Sequence, residues 1–382
     1  MITASIPKVI SIASTSSRLL PSTSLRTMTT RGEAGLTTDD QTNVHQRRQK
    51  GEFVRGMSTA RNWISSAEGS YFPPEAGRYH LYVAYNCPWC HRVLLTRSIL
   101  GLEDVITVDV LFPNRSSEME PLGAGLWKFL PEGQVGANQN YTSFPECTSD
   151  RVFDRQYVKQ IYEECGIHDQ KSVPILLDKE TKTIVNNESA EIMRMLITEM
   201  AQFGKRPELN LYPDDKAEEI TKLNDWIYTN ISNGSYKAGF STSQEVYETA
   251  YEKYFAALEE LDERLSKTKF LVGDSVTEAD VRLFPTLYRH DPIYYLRFKL
   301  NQNYLRVYEN IWRWMGDMMN LEGMDPVSNA NYLAHCKQGY FGRTGNSTIP
   351  VGPPGYPECY KIPMKELPKN SRKRKLAEES SD

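Results

Sequence analysis

Two cysteines separated by two residues, Cys87 and Cys90 in "YNCPWCHRVLL", are the side chains of this chain best suited to chemistry. "RYHLYVAY" predicts a strand before them, and "CPWCHRVLLTRSILGL" predicts a helix that begins near the first cysteine. The free N–H groups and dipole of a helix N-terminus favour thiolate over thiol, and Pro88 suits the first turn. We therefore expect an exposed nucleophile at Cys87 and a partly shielded Cys90, with His91 and Arg92 as nearby donors or positive charges.

Zinc binding, a structural disulfide and inert packing are the alternatives for this cysteine pair. A structural zinc ion needs four ligands, and neither a second C-x-x-C pair nor a suitably spaced histidine pair follows, so we predict no metal. The six cysteines are scattered through 382 residues, which is typical of a reducing compartment rather than of a disulfide framework. Two cysteines packed in a small core remain the alternative without chemistry.

A second group of residues, in "SVPILLD" and "NNES", predicts a binding site for a peptide. A Val-Pro sequence that opens a strand is suited to a cis peptide bond, which would leave the N–H and C=O of Val173 free to pair with an extended ligand. Glu188 and Ser189 stand at the next helix N-terminus, where N–H groups and a hydroxyl can hold a carboxylate. Taken alone, these two residues would be only a helix start. A carboxylate-ended peptide with a thiol, held beside Cys87, describes glutathione.

The elements that position these residues follow the order β-α-β and then β-β-α. "VITVDVLF", residues 105–112, predicts a second strand parallel to the first. Residues 172–178 and 183–187 predict two more strands, and "ESAEIMRMLITEM" predicts the helix after them. Residues 113–150 are rich in Gly, Pro, Asn and Ser, which predicts a long insertion.

The second half of the chain predicts helices alone. "YETAYEKYFAALEELDERLSKT" places apolar residues on one helical face, and "VGDSVTEADV" predicts a helix capped by Thr277 and Asp280. We therefore expect an α/β thioredoxin-like domain over 51–203 and an all-α domain over 204–330. We expect an extended tail from Asp325, with residues 331–382 as a C-terminal extension. The apolar face consists of Tyr254, Leu258, Leu261 and Leu265.

Composition and the two chain ends limit the partners and the compartment. A formal charge of -4 gives no argument for nucleic-acid binding, and the absence of an apolar run of about 18 residues predicts no membrane span. Residues 1–32 hold basic residues and many Ser and Thr but no acid, so the leader over 1–50 is similar to a mitochondrial or plastid transit peptide. Disorder, translation from Met28 and a cytoplasmic location are the alternatives. The basic run at 372–375 suggests a solvated tail or a nuclear address.

Together these motifs resemble a known family. A thioredoxin-like half with C-P-W-x-H-R, V-P and N-E-S, followed by a helical half with T-x-x-D, resembles cysteine-type glutathione transferases. "GEFVRGMS", "GLWKF", "NGSYKAGF" and "DPIYYLRFKLN" are similar, more narrowly, to the glutathionyl-hydroquinone reductases, also called the xi class or omega-like transferases. This resemblance covers about residues 51–340 and implies the glutathione transferase fold, glutathione as co-substrate and a homodimer.

The resemblance also implies a mechanism. Cys87 matches the nucleophile, which attacks the sulfur of a glutathionylated hydroquinone and becomes a mixed disulfide. Tyr236 matches a tyrosine that exchanges a proton with the substrate ring, and Tyr294 matches one near the catalytic sulfur. A second glutathione would then release Cys87.

Glutathione contacts are implied in the same way, with one uncertain position. Trp127, Val173, Glu188 and Ser189 match residues that contact glutathione in the family. The stretch before Val-Pro differs from the family pattern, and Lys171 stands where a basic residue is expected.

Two departures from the family pattern concern the chemistry. Cys90 replaces the usual alanine, so it is a candidate resolving thiol. The chain could then act as a glutaredoxin-like dithiol oxidoreductase, or as a non-catalytic ligand carrier on the same fold. In "NYLAH", Asn331 replaces one of two family tyrosines, and Tyr332 is retained as a candidate quinone-pocket residue.

Overall fold

The computed structural model describes residue 48 and residues 50–130, 144–342 and 348–366. The expected leader, apart from residues 48 and 50, lies outside these residues, as does the basic run at 372–375. The middle of the insertion, residues 131–143, also lies outside them. Within the described part of the chain, no helix is both long and apolar enough to cross a membrane.

The first half of the chain forms a four-stranded mixed sheet. Strand β1 is Tyr79–Val83, β2 is Thr107–Val110, β3 is Ile175–Asp178 and β4 is Thr183–Asn186, in the spatial order β2-β1-β3-β4. β1 and β2 are parallel, whereas β3 pairs antiparallel with both β1 and β4. The predicted β-α-β and β-β-α order is confirmed, although the structure trims the strands by one to three residues at their ends.

Three helices belong to this sheet. Helix α1 is Pro88–Ile99, α2 is Val158–Glu164 and α3 is Ser189–Met195, which continues as a π-helical turn, Leu196–Met200. Helix α2 was not predicted from the sequence, because its seven residues are too few to show a helical period. The described parts of the insertion, residues 113–130 and 144–150, contain no helix and no regular strand.

Helices make up the second half, as predicted. The α-helices α4 to α9 are Ala217–Ile227, Asn233–Gly239, Gln244–Leu265, Glu278–Arg289, Tyr295–Arg297 and Glu309–Met319. Two π-helical turns, Tyr228–Ser232 and His290–Tyr294, join α4 to α5 and α7 to α8. The predicted apolar face of α6 is confirmed, because Tyr254, Leu258, Leu261 and Leu265 are all buried.

The predicted cap of α7 is also present and is entirely structural. The Asp280 carboxylate accepts from the backbone N–H and the hydroxyl of Thr277, both at 2.9 Å. Its other oxygen accepts from the Trp314 indole at 2.8 Å. Next to the cap, buried Glu278 pairs with Arg194 of α3 at 2.7 Å. Helix α7 is thereby fixed against both the helical core and the sheet side, so its C-terminal end has a defined position.

The expectation of an extended tail from Asp325 is wrong over its first part. Residues Ala330–Phe341 form helix α10, which the side chain of Asn329 caps by accepting from the Tyr332 N–H at 3.0 Å. The Gly- and Pro-rich composition that suggested an extended chain begins only after this helix. Residues 348–366 contain two short 3-10 turns, Glu358–Lys361 and Met364–Glu366.

Candidate functional site

Cys87 lies at the N-terminus of α1, as the sequence predicted. It is the N-cap residue, Pro88 occupies the first helical position, and the Cys87 carbonyl accepts from the His91 N–H at 3.0 Å. The expectation of an exposed thiol is wrong, because only 9% of Cys87 is exposed. The sulfur therefore lies at the floor of a cavity, where a substrate must enter to reach it.

The environment of Cys87 stabilises its thiolate. Burial alone would raise the pKa of Cys87, but hydrogen bonds from the Cys90 thiol and from the backbone amides of Cys90 and Trp89, with the charge of Arg289, lower it to about 6. Burial and the hydrogen bond to Cys87 raise the pKa of Cys90 well above its usual value. Cys90 is fully buried, and both cysteines are free thiols. The pair thus holds one thiolate and one thiol near neutral pH.

The positive charge near Cys87 comes from Arg289 at the end of α7 and not, as expected, from its sequence neighbours. Arg289 is fully buried and donates to His91 Nδ1 at 2.8 Å and to the Tyr85 carbonyl at 2.8 Å. Burial and the Arg289 charge lower the pKa of His91 well below its usual value, so His91 is neutral. Arg92 points to the N-terminus of α3 instead. The sequence could not show that Arg289 lies near Cys87, because the two residues are about 200 positions apart.

The predicted peptide-binding edge lies beside Cys87. The Val173–Pro174 bond is cis, and Val173 precedes β3 directly. The Val173 carbonyl oxygen is 3.8 Å from the Cys87 sulfur. At the start of α3, the Glu188 side chain accepts from the Ala190 N–H at 3.2 Å. The backbone of Val173 and the N-terminus of α3 therefore border the same cavity.

Arg92 determines how Ser189 is presented to this cavity. Arg92 is buried, and its Nε and Nη2 atoms donate to the Ser189 hydroxyl at 3.0 and 2.7 Å. The same guanidinium lies 3.4 Å from Glu188 Oε1, and Ser58 donates to the other Glu188 oxygen at 3.0 Å. The Ser189 hydroxyl in turn donates to Glu188 Oε1 at 3.5 Å, so Arg92, Glu188 and Ser189 form one hydrogen-bonded group at the start of α3.

Trp127 and Lys171 line the cavity from two further segments. The Trp127 indole is buried, and the Arg115 guanidinium lies 3.4 Å from its ring centroid. Lys171 is exposed at the rim, two residues before Val173. The insertion thus contributes to the cavity wall, which explains how a segment without regular structure can carry site residues.

Three tyrosines from the helical half form a hydrogen-bonded group at the cavity. The hydroxyls of Tyr236 and Tyr340 are 2.6 Å apart, and those of Tyr294 and Tyr340 are 3.3 Å apart. Tyr236 and Tyr340 line the cavity, whereas Tyr294 is fully buried behind Tyr340. Burial and the nearby Cys87 raise the pKa of Tyr236, so its hydroxyl is protonated at neutral pH and can donate.

The prediction that Tyr332 lines a quinone pocket is wrong. Tyr332 stacks on Tyr85 with a centroid distance of 4.5 Å and lies 4.4 Å from His91, so it is on the core side of α1. The tyrosine of α10 that reaches the cavity is Tyr340, in "KQGYF". No sequence signal pointed to it, because an extended tail was expected there.

The cavity that these residues enclose has a volume of about 1050 Å³, enough for a tripeptide together with an aromatic ring. Two sequence families match the chain here. The glutathione S-transferase N-terminal domain matches residues 86–199, and the glutathione S-transferase C-terminal domain matches residues 244–317. No group of three or more possible metal ligands occurs among residues that the structure describes.

Individual relatives define the family more narrowly. The chain is 37% identical over 311 residues to glutathionyl-hydroquinone reductase YqjG of Escherichia coli strain K12, covering 79% of this chain and 88% of that protein. The chain belongs to the glutathionyl-hydroquinone reductase family. The crystal structure of glutathione S-transferase Xi from Phanerochaete chrysosporium, 37% identical, superposes with a TM-score of 0.71 over 80% of this chain and 94% of that one. The glutathione-bound structure of YqjG, 35% identical, superposes with a TM-score of 0.68 over 77% and 92%.

As a member of this reductase family, the chain is an enzyme with the glutathione transferase fold and a glutathione-dependent reaction. Sequence reasoning missed three residues that shape its site, namely Arg55, Arg289 and Tyr340. Arg55 stands in "GEFVRGMS", before the first strand, and lines the cavity. The sequence did contain a signal for Arg55, because it is a basic residue in a stretch that resembles the family and has neither a strand nor a helix pattern.

Proposed function

We propose that this enzyme reductively removes glutathione from glutathionyl-hydroquinones through a mixed disulfide at Cys87. One arrangement carries the proposal. A buried thiolate, its pKa lowered to about 6, shares one cavity with the backbone of Val173 and a pair of hydrogen-bonded tyrosines. The YqjG relative is named a glutathionyl-hydroquinone reductase, which supports this substrate class.

Glutathione binding is proposed to use the α3 side of the cavity. The backbone of Val173 would pair with the peptide, as strands pair with a sheet edge. The Ser189 hydroxyl and the α3 N-terminus would hold a carboxylate. The Glu188 carboxylate, which accepts from Arg92 and Ser58, would add an ammonium group of the peptide to these donors. Trp127 and Lys171 would close the other side. The glutathione sulfur would then lie next to Cys87.

The first chemical step would exchange one bond to sulfur for another. The Cys87 thiolate attacks the thioether sulfur, so that an S–S bond forms and the bond from sulfur to the ring carbon breaks. The electron pair of that bond stays on the ring, and a proton brings the ring carbon to C–H, with Tyr236 as the proposed donor. The ring carbon is reduced, and the two sulfurs are oxidised to the disulfide level.

The second step would restore the enzyme. The thiolate of a second glutathione attacks the glutathione sulfur of the mixed disulfide, which forms glutathione disulfide and releases Cys87 as thiolate. The low pKa of Cys87 makes it a good leaving group in this exchange. The net reaction converts one glutathionyl-hydroquinone and one glutathione into one hydroquinone and one glutathione disulfide.

The direct test uses glutathionyl-menadiol and glutathione with purified wild-type enzyme and Cys87→Ser. We expect wild type to release menadiol and Cys87→Ser to be inactive. Intact-mass measurement after incubation with glutathionyl-menadiol alone should show one added glutathione on wild type. Absence of menadiol release by wild type would contradict the proposal.

A second candidate is a dithiol oxidoreductase that uses both cysteines, and the hydrogen bond between the two thiols favours it. In this route Cys90, once deprotonated, would attack the mixed disulfide at Cys87, forming an internal disulfide and releasing glutathione. Two glutathione molecules would then reduce that disulfide. Cys90→Ala distinguishes the routes when it is assayed at about pH 9, where Cys87 is ionised with or without Cys90, because full menadiol release by the variant there would exclude any need for Cys90.

A further inference from the structure

Arg55 lies in the aromatic wall of the cavity, the part formed by Phe53, Trp89 and Tyr236. Its guanidinium carbon lies 4.5 Å from the ring centroid of Trp89, 4.7 Å from that of Tyr236 and 5.2 Å from that of Phe53. Its Nε atom donates to the side-chain oxygen of Asn233 at 3.1 Å. Arginine is well suited to such a place, because its planar group stacks on aromatic rings and is weakly hydrated. The charged group is thus held in one orientation without help from a ligand.

Two donors on this wall have no acceptor in the part of the chain that the structure describes. The Nη2 atom of Arg55 is buried and has no hydrogen-bond partner among the described residues, and the same holds for Nε1 of Trp89. The contacts of Arg55 across the described chain include no carboxylate. Leaving a buried charged donor unpaired is unfavourable. An oxygen from a bound molecule would satisfy it.

The position of Arg55 identifies which bound molecule supplies that oxygen. The carboxylates among the described cavity residues are Asp169 and Glu188, on the side that holds Val173 and the α3 N-terminus. Arg55 instead adjoins Tyr236, whose hydroxyl lies 2.6 Å from that of Tyr340. The aromatic side chains that line this part of the cavity offer faces against which a flat ring would stack, whereas the peptide backbone is expected at Val173.

We propose that Arg55 binds the ring oxygen of the hydroquinone and stabilises the negative charge that develops there as the carbon–sulfur bond breaks. This inference rests on the proposed function. Tyr236 first protonates the sulfur-bearing ring carbon while the ring hydroxyl loses its proton, which gives the keto tautomer. When Cys87 then takes the sulfur, the electron pair of the broken bond restores the aromatic ring and places the negative charge on that ring oxygen, and a positive charge fixed there lowers the energy of the transition state. The phenolate is protonated on release, and Arg55 remains protonated throughout. Arg55 thus contacts the substrate and is a further catalytic residue.

The experiment compares two reactions of the same enzyme, one with a ring and one without. The ring reaction is menadiol release from glutathionyl-menadiol, and the ring-free reaction is reduction of the mixed disulfide of glutathione and 2-mercaptoethanol. For Arg55→Gln we expect kcat/KM of the ring reaction to fall by about 10- to 100-fold, the usual effect of losing a hydrogen bond to a charged group. The ring-free reaction should be unchanged, which also shows that the variant is folded. Arg55→Lys should recover part of the ring reaction, since it keeps the charge but not the planar fork.

Arg61→Gln is the matched control, because Arg61 also lines the cavity but donates to Glu191 at 2.6 Å. It should leave the ratio of the two reaction rates unchanged. Equal loss of both reactions in Arg55→Gln would assign Arg55 a structural role and overturn the inference. A raised KM for glutathione in the ring-free reaction would assign it to glutathione binding and also overturn it. If wild type reduces the ring-free disulfide but releases no menadiol, the proposed function fails and this inference fails with it.

Discussion

Replacing Cys90 with alanine should raise the pKa of Cys87. The Cys90 thiol donates a hydrogen bond to the Cys87 sulfur, and after burial, which acts in the opposite direction, this bond is the largest influence on that pKa. Together the stabilising interactions lower the pKa of Cys87 from 9.0 to about 6. Such a difference corresponds to about 4 kcal/mol in favour of the thiolate.

The size of the expected change follows from the strength of one hydrogen bond to a charged group. Such bonds contribute about 1.5–3 kcal/mol, which is about one to two pKa units. The Cys87 pKa of Cys90→Ala should therefore lie between about 7 and 8. Because a thiol reacts only as the thiolate, the variant should lose about half to nine-tenths of its reactivity at pH 7 and little above pH 9.

Alkylation by iodoacetamide between pH 4 and pH 10, followed by mass spectrometry of the Cys87 peptide, measures this pKa directly. Cys165→Ala is a suitable control, since Cys165 lies at the end of α2 and burial raises its pKa to about 11. Its removal should leave the Cys87 profile unchanged. If Cys90→Ala and wild type share one midpoint, the thiol is not the donor, and the helix amides with Arg289 must account for the low pKa.

Three further predictions concern residues that sequence reasoning missed or left aside. Arg289→Met should also raise the pKa of Cys87, measured by the same alkylation profile, whereas an unchanged midpoint would show that the buried charge does not act on the thiolate. Tyr340→Phe removes the hydroxyl that links two other tyrosines and should lower menadiol release by about 10-fold while ring-free disulfide reduction stays constant; equal loss of both would indicate a folding defect. Gly339→Ala would place a Cβ atom 1.9 Å from Asn86 Nδ2, so it should lower the free energy of unfolding by about 1–3 kcal/mol in a denaturant titration. No loss would show that Asn86 can move aside.

The fold and half of the site could be predicted because the signals are local. Aromatic and β-branched residues specify β1, and Cys87 needs only the following helix to gain its N-terminal position. The cis bond before Pro174 and the Thr277 cap likewise depend on neighbouring residues. Each of these features uses a backbone geometry that a few consecutive residues impose.

The other half of the site depends on contacts between residues that are far apart in the sequence, and no local sequence pattern predicts such contacts. Arg289 reaches His91 over 198 positions, and Arg55 reaches Asn233 over 178. Tyr340 comes from a helix that the Gly- and Pro-rich sequence after it concealed. Composition predicts that such residues exist, but only the packing of α7, α5 and α10 against α1 determines which of them face the cysteine.

The two kinds of residue divide the chemistry between them. The local motif supplies the nucleophile and the helix amides, which lower the pKa of Cys87 in any substrate-free state. Arg55, Tyr236 and Tyr340, which are distant from Cys87 in the sequence, border the space where the hydroquinone ring would lie. Substitutions in the motif should therefore change both the ring and the ring-free reactions, whereas substitutions in the aromatic wall should change only the first. A set of variants that divides along this line would show that the cysteine motif provides thiol exchange and that Arg55, together with tyrosines of the helical half, directs it to an aromatic substrate.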